Sequence, residues 1–429
     1  MAPPASSPAL PPDVVAYATP PEKLAARRRA LASSGPPSLL GAALALLIAV
    51  PVWALMVVET LKRAWAKGSL FAALAPPRDP DALEKARAPW PYPVREFTVP
   101  VEGGRCRLGA VELLPPRAPG DAGAPGGGDA GDDHHDARPL ALFLHGFPEN
   151  AYSWRFVMPA VAKKGYRCVA LSLRGYHGSG APEGVLAYRM RRLADDVRDA
   201  AVHLGGGGEA GVTLVAHDWG GSLAWLTAAL HPELVRRMVV LALPPLQLAP
   251  SNFTPRQVLR SLYILQFQAP VLPEASLYTD DAKVVGLCFT KPPLGVIACE
   301  EGPLTDGDVA VFRHAFCQPG RATAALNYYR ALARWSLAGV PLLGGLPVLR
   351  EYRDDALTQA LRRPLADAPV LLLHGDGDTA LGTQLLDGWE AVCAHAASRC
   401  YVLGRCSHWI NQDRPRAVNE LIGGWLPAA

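Results

Sequence analysis

The stretch Gly211-Val-Thr-Leu-Val-Ala-His-Asp-Trp-Gly-Gly221 decides the fold. Its first half is a short apolar run, the pattern of a strand covered on both faces. Its second half sets small residues at 216, 220 and 221 around Asp218. Small residues there permit a sharp strand-to-helix turn that lifts one side chain to the top of a sheet. A serine usually stands at the centre of such an elbow; here it is a carboxylate. The exchange has a chemical consequence. Serine attack on a saturated carbon leaves an ether, which water does not readily release. Aspartate attack leaves an ester, which water cleaves. The bland alternative for Asp218 is a helix cap, a common role for aspartate at such a position.

Working outward, apolar runs at Leu140–Leu144, Cys168–Leu173, Val212–Ala216, Met238–Leu243, Val370–Leu373 and Arg399–Leu403 read as buried strands. Helical patterns at Tyr188–Leu204 and Ser222–His231 fall between them. Strand and helix in alternation predict a mostly parallel sheet with helices on both faces. Residues 245–365 carry helix formers and little strand pattern. They predict a helical lid between two halves of one core, 90–244 and 366–429. Residues 115–138, rich in Gly, Pro, Ala and Asp, predict a flexible surface loop. His134 and His135 lie in that loop, where no fixed backbone would hold a metal in a chosen geometry.

Active sites of such sheets lie at the carboxyl ends of the strands. Three further features fall there. His145-Gly-Phe-Pro-Glu149 follows one strand, and its Phe147 amide, with that of Trp219, suits an oxyanion on an ester intermediate. Asp376 and Asp378 follow another strand and compete for the role of acid. His408 lies just past the last strand. Nucleophile, acid and histidine thus occur in the chain order that this architecture uses. A lone late histidine is more often structural; three members in order at strand ends point to catalysis.

The N-terminal part reads differently. Residues 1–37 are rich in Pro, Ala and Ser and are expected to be disordered. Ser38 to Val58 holds 21 residues without a charge, long enough for one membrane-spanning helix within 38–60. Pro51 would bend that helix, and membrane helices tolerate it. No small-x-small cleavage site follows, which argues against a signal peptide. Arg27, Arg28 and Arg29 among Ala and Ser leave a transit peptide as an alternative. Basic residues flank the apolar run on both sides, so its orientation is close to a tie. Asn252-Phe-Thr254 is a glycosylation sequon that matters only if the domain faces a lumen.

Composition sets outer limits. The 429 residues can bury a large core. A net charge of +3, from 42 basic and 39 acidic residues, gives no case for a nucleic-acid partner. The eight cysteines form no Cys-x-x-Cys and no zinc spacing, and they read as small buried residues.

From about residue 90 onward the chain resembles the membrane-anchored epoxide hydrolases of the α/β-hydrolase fold. The matching pieces are His145-Gly-Phe-Pro-Glu149, Tyr152-Ser-Trp-Arg155, Leu173-Arg-Gly-Tyr-His-Gly-Ser179, Ala216-His-Asp-Trp-Gly-Gly221, Tyr263-Ile-Leu-Gln-Phe-Gln-Ala-Pro270, Gln318-Pro-Gly, Asn327-Tyr-Tyr-Arg330 and Ser407-His-Trp409. The resemblance implies two lid tyrosines that protonate an epoxide oxygen, Tyr263 and Tyr329, with Tyr328 the neighbour to distinguish. It implies attack by Asp218, activation of water by His408, orientation of His408 by Asp378, and no metal or organic cofactor. A small lipophilic epoxide is the expected substrate, on a membrane of the endoplasmic reticulum or else of a plastid. Ala242-Leu-Pro-Pro-Leu246 departs from the family's usual turn, so the pocket wall there is expected to differ. A haloalkane dehalogenase shares the aspartate and the following tryptophan, but it carries a halide-binding Asn or Trp in the first loop and needs no paired tyrosines. A ligand receptor without turnover is the alternative from another class, and the complete set of Asp218, Asp378 and His408 argues against it.

Overall fold

The computed structural model describes residues 10–11, 13–26, 58, 85, 87–113, 138–208, 211–297, 300–302, 304–340 and 343–429. Nine strands form one sheet: β1 Val14–Ala16, β2 Arg95–Val101, β3 Cys106–Leu113, β4 Leu140–Leu144, β5 Arg167–Leu171, β6 Val212–His217, β7 Val235–Leu241, β8 Val370–Gly375 and β9 Arg399–Leu403. Their spatial order is β1-β9-β8-β7-β6-β4-β5-β3-β2. From β5 to β9 every neighbouring pair is parallel. β2 and β3 close one edge antiparallel, and β1 closes the other.

The sequence explains the central strands directly. β4, β5, β6 and β8 are buried along their whole length. Helices cover both faces, so neither face tolerates alternation with polar residues. β2 is different. Its burial alternates toward its end, as suits an edge strand with one wet face. Neither β2 nor β3 had been singled out from the apolar runs.

The helices that matter here are α1 Met158–Ala162, α2 Met190–Ala201, α3 Trp219–Leu230, α4 Pro255–Arg260, α5 Tyr263–Gln266, α6 Leu272–Thr290, α7 Asp306–Cys317, α8 Arg321–Ala338 and α9 Pro415–Trp425. α3 starts one residue after Asp218, three residues earlier than the periodicity suggested. Between β7 and β8 the described residues hold helices and turns and no strand. The packing of the sheet against α2, α3 and these helices makes one apolar cluster, and α1 and α9 cover the other face in a second.

The N-terminus corrects an expectation. Residues 13–26 are ordered on the domain, where disorder was expected across 1–37. β1 pairs with β9, with Val15 opposite Val402. Composition misled because a chain this polar cannot make its own core, yet it needs none when a sheet edge supplies the hydrogen bonds. The apolar run Ser38–Val58, apart from its last residue, and the 115–138 loop, apart from Arg138, lie outside the described residues. Among the described residues no helix is long and apolar enough to cross a membrane.

Candidate active site

Asp218 sits between β6 and α3 with φ 49° and ψ −118°. A non-glycine residue seldom holds such a backbone, and it persists only where its surroundings fix it. Three glycines make room. A Cβ on Gly146 would lie 2.5 Å from the Asp218 Cβ, one on Gly220 2.0 Å from the Leu144 carbonyl oxygen, and one on Gly221 2.9 Å from the Leu243 Cβ. The first loop, the strand and the helix therefore approach one another too closely for any side chain.

The carboxylate of Asp218 is held from two sides. The Phe147 amide donates to its Oδ1 at 2.8 Å. His408 Nε2 stands 3.4 Å from its Oδ2. The other ring nitrogen, His408 Nδ1, is 2.8 Å from Asp378 Oδ2. Asp378 is itself fixed, because its Oδ1 accepts from the Ala380 and Leu381 amides, each at 2.8 Å. The two candidate acids thus separate by geometry. Asp376 lies exposed and accepts from the Cys406 amide at 3.2 Å, away from the histidine. Trp219 opens α3, where the first amides of a helix lack intrahelical acceptors.

Protonation follows from this packing. Burial opposes ionisation of Asp218, but the hydrogen bond and charge of His408 and the Phe147 amide hold its carboxyl below the ordinary value. Asp378 behaves alike: burial raises it, and His408 outweighs burial. Burial would lower His408, yet Asp378 and Asp218 push it well above the ordinary histidine value. The resting site is a buried carboxylate–imidazolium–carboxylate line.

The lid closes over it with aromatic rings. Tyr263 of α5 and Tyr329 of α8 meet edge to face at 5.8 Å between ring centroids. Tyr329 lies 5.0 Å from the Trp219 ring and 5.4 Å from Phe147. Phe267 packs 5.0 Å from Tyr329 and Phe316 packs 5.6 Å from Phe147. Tyr328 turns away, donating its hydroxyl to the Arg174 carbonyl oxygen at 2.8 Å. Burial raises the Tyr263 and Tyr329 phenols far above the ordinary value, and the Asp218 charge adds to it. Both therefore keep a proton to give at neutral pH.

Arg330 ties together the two lid elements that carry the tyrosines. It donates to the Phe267 and Ala269 carbonyl oxygens at 2.9 and 2.8 Å and pairs with Glu274 at 2.7 Å. The next residue along from Tyr329 thus staples α8 to the segment that follows α5.

Two residues within the quoted motifs, His217 and Glu149, had been given no role. His217 directs Nδ1 at Glu149 Oε2 (2.7 Å) and Nε2 at the His408 carbonyl oxygen (2.8 Å). Glu149 Oε2 also accepts from the Gly146 amide at 2.9 Å. This wholly buried pair links the Phe147 loop to the backbone of His408. Asn252 proves to be a core residue, its Nδ2 donating to the Leu385 and Asp387 carbonyl oxygens at 3.0 and 2.8 Å. A glycan would replace one of the two Nδ2 hydrogens and would have no room at this buried side chain, so the sequon does not serve the folded domain. Among the described residues no cluster of three or more His, Cys, Asp or Glu could hold a metal ion.

Comparison with known proteins agrees with this geometry. The family model described as alpha/beta hydrolase fold matches residues 139–415. Epoxide hydrolase 3 of Xenopus tropicalis is 34% identical over 296 residues, spanning 67% of this chain and 71% of that protein. Human Epoxide hydrolase 4 is 33% identical over 297 residues, spanning 67% and 72%. Epoxide Hydrolase A from Mycobacterium thermoresistibile, a crystal structure, superposes with a TM-score of 0.56 at 27% identity over 78% of this chain and 98% of its own. An elbow aspartate, its histidine partner and these relatives place the chain in one group: it belongs to the epoxide hydrolases of the α/β-hydrolase fold.

Proposed function

We infer that the chain converts a lipophilic epoxide and water to a vicinal diol through an ester on Asp218. The observation that carries the reading is the Asp218 carboxylate, gripped by the Phe147 amide at one oxygen and 3.4 Å from His408 at the other, beneath a lid that brings Tyr263 and Tyr329 together. Asp218 Oδ2 attacks a ring carbon and forms the ester bond as the carbon–oxygen bond of the ring breaks. The electron pair goes to the departing oxygen, and Tyr263 or Tyr329 supplies its proton. Esterification removes the Asp218 charge and so weakens the hold of His408 on its proton; that proton passes to the tyrosinate left by ring opening, which restores the phenol and leaves His408 neutral and able to act as a base. His408 takes a proton from water, and the water attacks Cγ of the ester. Negative charge then develops on Oδ1, where the Phe147 amide already points and the Trp219 amide adds a second donor. Collapse breaks the ester bond and releases the diol.

The aromatic walls from Phe147, Phe267 and Phe316 favour apolar substituents on the epoxide. Attachment to a membrane through Ser38–Val58 suits the same substrates, with the endoplasmic reticulum ahead of the plastid as its place. A single turnover in heavy-oxygen water tests the chemistry. The first diol should carry unlabelled oxygen from the enzyme, and the label should appear in the Asp218 carboxylate by peptide mass. Label in the first diol with none in Asp218 would mean direct attack by water and would end the reading.

A further inference from the structure

A buried glutamine ties the lid to the loop that carries Asp378. Gln257 is the one buried residue of α4; the others are exposed or partly exposed. A glutamine side chain is seldom taken out of water, and a buried carboxamide needs partners for its donor and its acceptor. Gln257 finds them on a backbone. Its Nε2 donates to the Ala380 carbonyl oxygen at 2.7 Å, and its Oε1 accepts from the Gly382 amide at 3.0 Å. Ser261 Oγ and Gln384 Nε2 take up its remaining donor and lone pair, at 3.2 and 3.3 Å. An apolar side chain of the same length would fill the space and leave the Ala380 and Gly382 groups unpaired.

The loop held in this way is the one that fixes the acid. Its Ala380 and Leu381 amides bond Asp378 Oδ1. The Leu381 carbonyl oxygen accepts from Nε2 of His374, a buried residue of β8, at 2.9 Å. Residues 380–382 thus give some of their backbone groups to Asp378 and others to Gln257. In the other direction Gln257 leads to a proton donor. Its carbonyl oxygen accepts from the Ser261 amide at 3.0 Å, and the Ser261 carbonyl oxygen accepts from the Ile264 amide at 3.0 Å. Tyr263 lies inside that turn. It comes six positions after Gln257, and Ala380 comes two after Asp378. Burial raises the Tyr263 phenol, and the charges of Asp218 and Asp378 add to it, so this tyrosine stands within reach of both carboxylates.

We propose that Gln257 is a positioning residue for both steps of the reaction, setting the Tyr263 phenol and the Asp378 carboxylate in one register. It acts through other groups. Through Ser261 and α5 it places the donor that ring opening needs. Through Ala380 and Gly382 it places the carboxylate that orients His408. The proposal rests on the ester at Asp218 and on Tyr263 as a proton donor, as inferred above.

The test uses single turnovers of the full chain on styrene oxide, stopped in acid and read by the mass of the Asp218 peptide. They give the rates of ester formation and ester release separately. Gln257→Met keeps the length of the side chain and removes both backbone bonds. Both rates should fall, each on the order of 10–10²-fold, as a small misplacement of reacting groups does, while a melting curve shows a folded chain. Rates equal to those of the unaltered protein, or a fall confined to one step, would overturn the proposal. Gln257→Glu decides if Gln257→Met does not fold. It keeps the shape and the bond from Gly382, but its ionised carboxylate turns a lone pair toward the Ala380 carbonyl oxygen. A proton restores the donor. Asp378 faces this place from the loop, His374 from β8, His408 from the turn after β9 and Arg260 from α4 itself, and all four are common to both chains. The rate of ester formation, taken as a ratio to the unaltered protein, should therefore climb as pH falls. A ratio flat with pH would mean that the side chain only fills space, and would overturn the proposal. Absence of an ester in the unaltered protein would overturn the Asp218 chemistry and this role with it, and the unaltered protein alone tells that case apart.

Discussion

His408 separates the two halves of the reaction. Alkylation of Asp218 needs a carboxylate and a proton donor, whereas release of the ester needs a base. His408→Gln should therefore form the ester and then stall. The expected outcome is a burst of one product equivalent held on the chain, a mass increase on the Asp218 peptide, and steady turnover lower by about 10²–10⁴-fold. A variant that neither bursts nor turns over would place His408 in the first step instead. The same residue sets the pH dependence. In the resting chain burial lowers His408, and the carboxylates of Asp378 and Asp218 more than reverse this. In the ester Asp218 is uncharged, so one raising cause is gone. His408 must lose its proton at lower pH in the ester than at rest. Where ester hydrolysis limits kcat, kcat should rise with pH and level off below the value that an NMR titration of the resting ring gives. Coincident values would contradict the charge coupling between His408 and Asp218. On the alkaline side, kcat/KM should persist above the ordinary tyrosine range, since burial raises both phenols.

At the scale of elements, the lid is held in register by one buried ion pair. Arg330 and Glu274 are each less than a tenth exposed, and they join α8 to the start of α6. Removing one charge strands the other, which typically costs about 3–5 kcal/mol. Arg330→Met should lower both thermal stability and kcat, because Tyr263 and Tyr329 are no longer held edge to face. Arg330→Met with Glu274→Gln should recover much of the stability and little of the turnover, as the bonds to the Phe267 and Ala269 carbonyl oxygens stay broken. Equal recovery of both would show that the pair stabilises the lid without positioning the tyrosines. How far such elements can be read from a sequence depends on how local their cause is. The elbow was legible because strand, turn and helix lie within eleven residues and each obeys its own rule. Tyr329 was preferred to Tyr328 by motif match alone, whereas spacing from the strand left Asp376 and Asp378 both open as the acid, and three-dimensional position separates them. The Glu149–His217 pair was hidden in plain motifs, since its two members are 68 positions apart and only the sheet brings them together. β1 was illegible for a different reason. Val14-Val-Ala16 sits among prolines and small residues and has no periodicity of its own. Its structure belongs to β9.

For the whole molecule, β1 does a job that the catalytic residues do not need. β9 is the last of the parallel strands, and without β1 it would present a free row of backbone groups, a ready template for another chain. Asp218, Asp378 and His408 are all positioned from within the core, by β6, β8 and the turn after β9. Deleting residues 1–20 should therefore spare turnover in the dilute protein and change its behaviour at the edge. The Gly404 amide, which donates to the Asp13 carbonyl oxygen at 2.8 Å, should lose its protection from hydrogen exchange. The Ala242 amide, bonded to the Leu373 carbonyl oxygen in the centre of the sheet at 2.8 Å, should keep its own. At rising concentration the truncated chain should self-associate, because the bared edge pairs with a copy of itself. Unchanged protection at Gly404 would mean that β1 does not occupy the edge in solution. A truncated chain that stays monomeric but loses turnover would mean that β1 reaches the site through β9 and His408, and that edge protection is not its main effect.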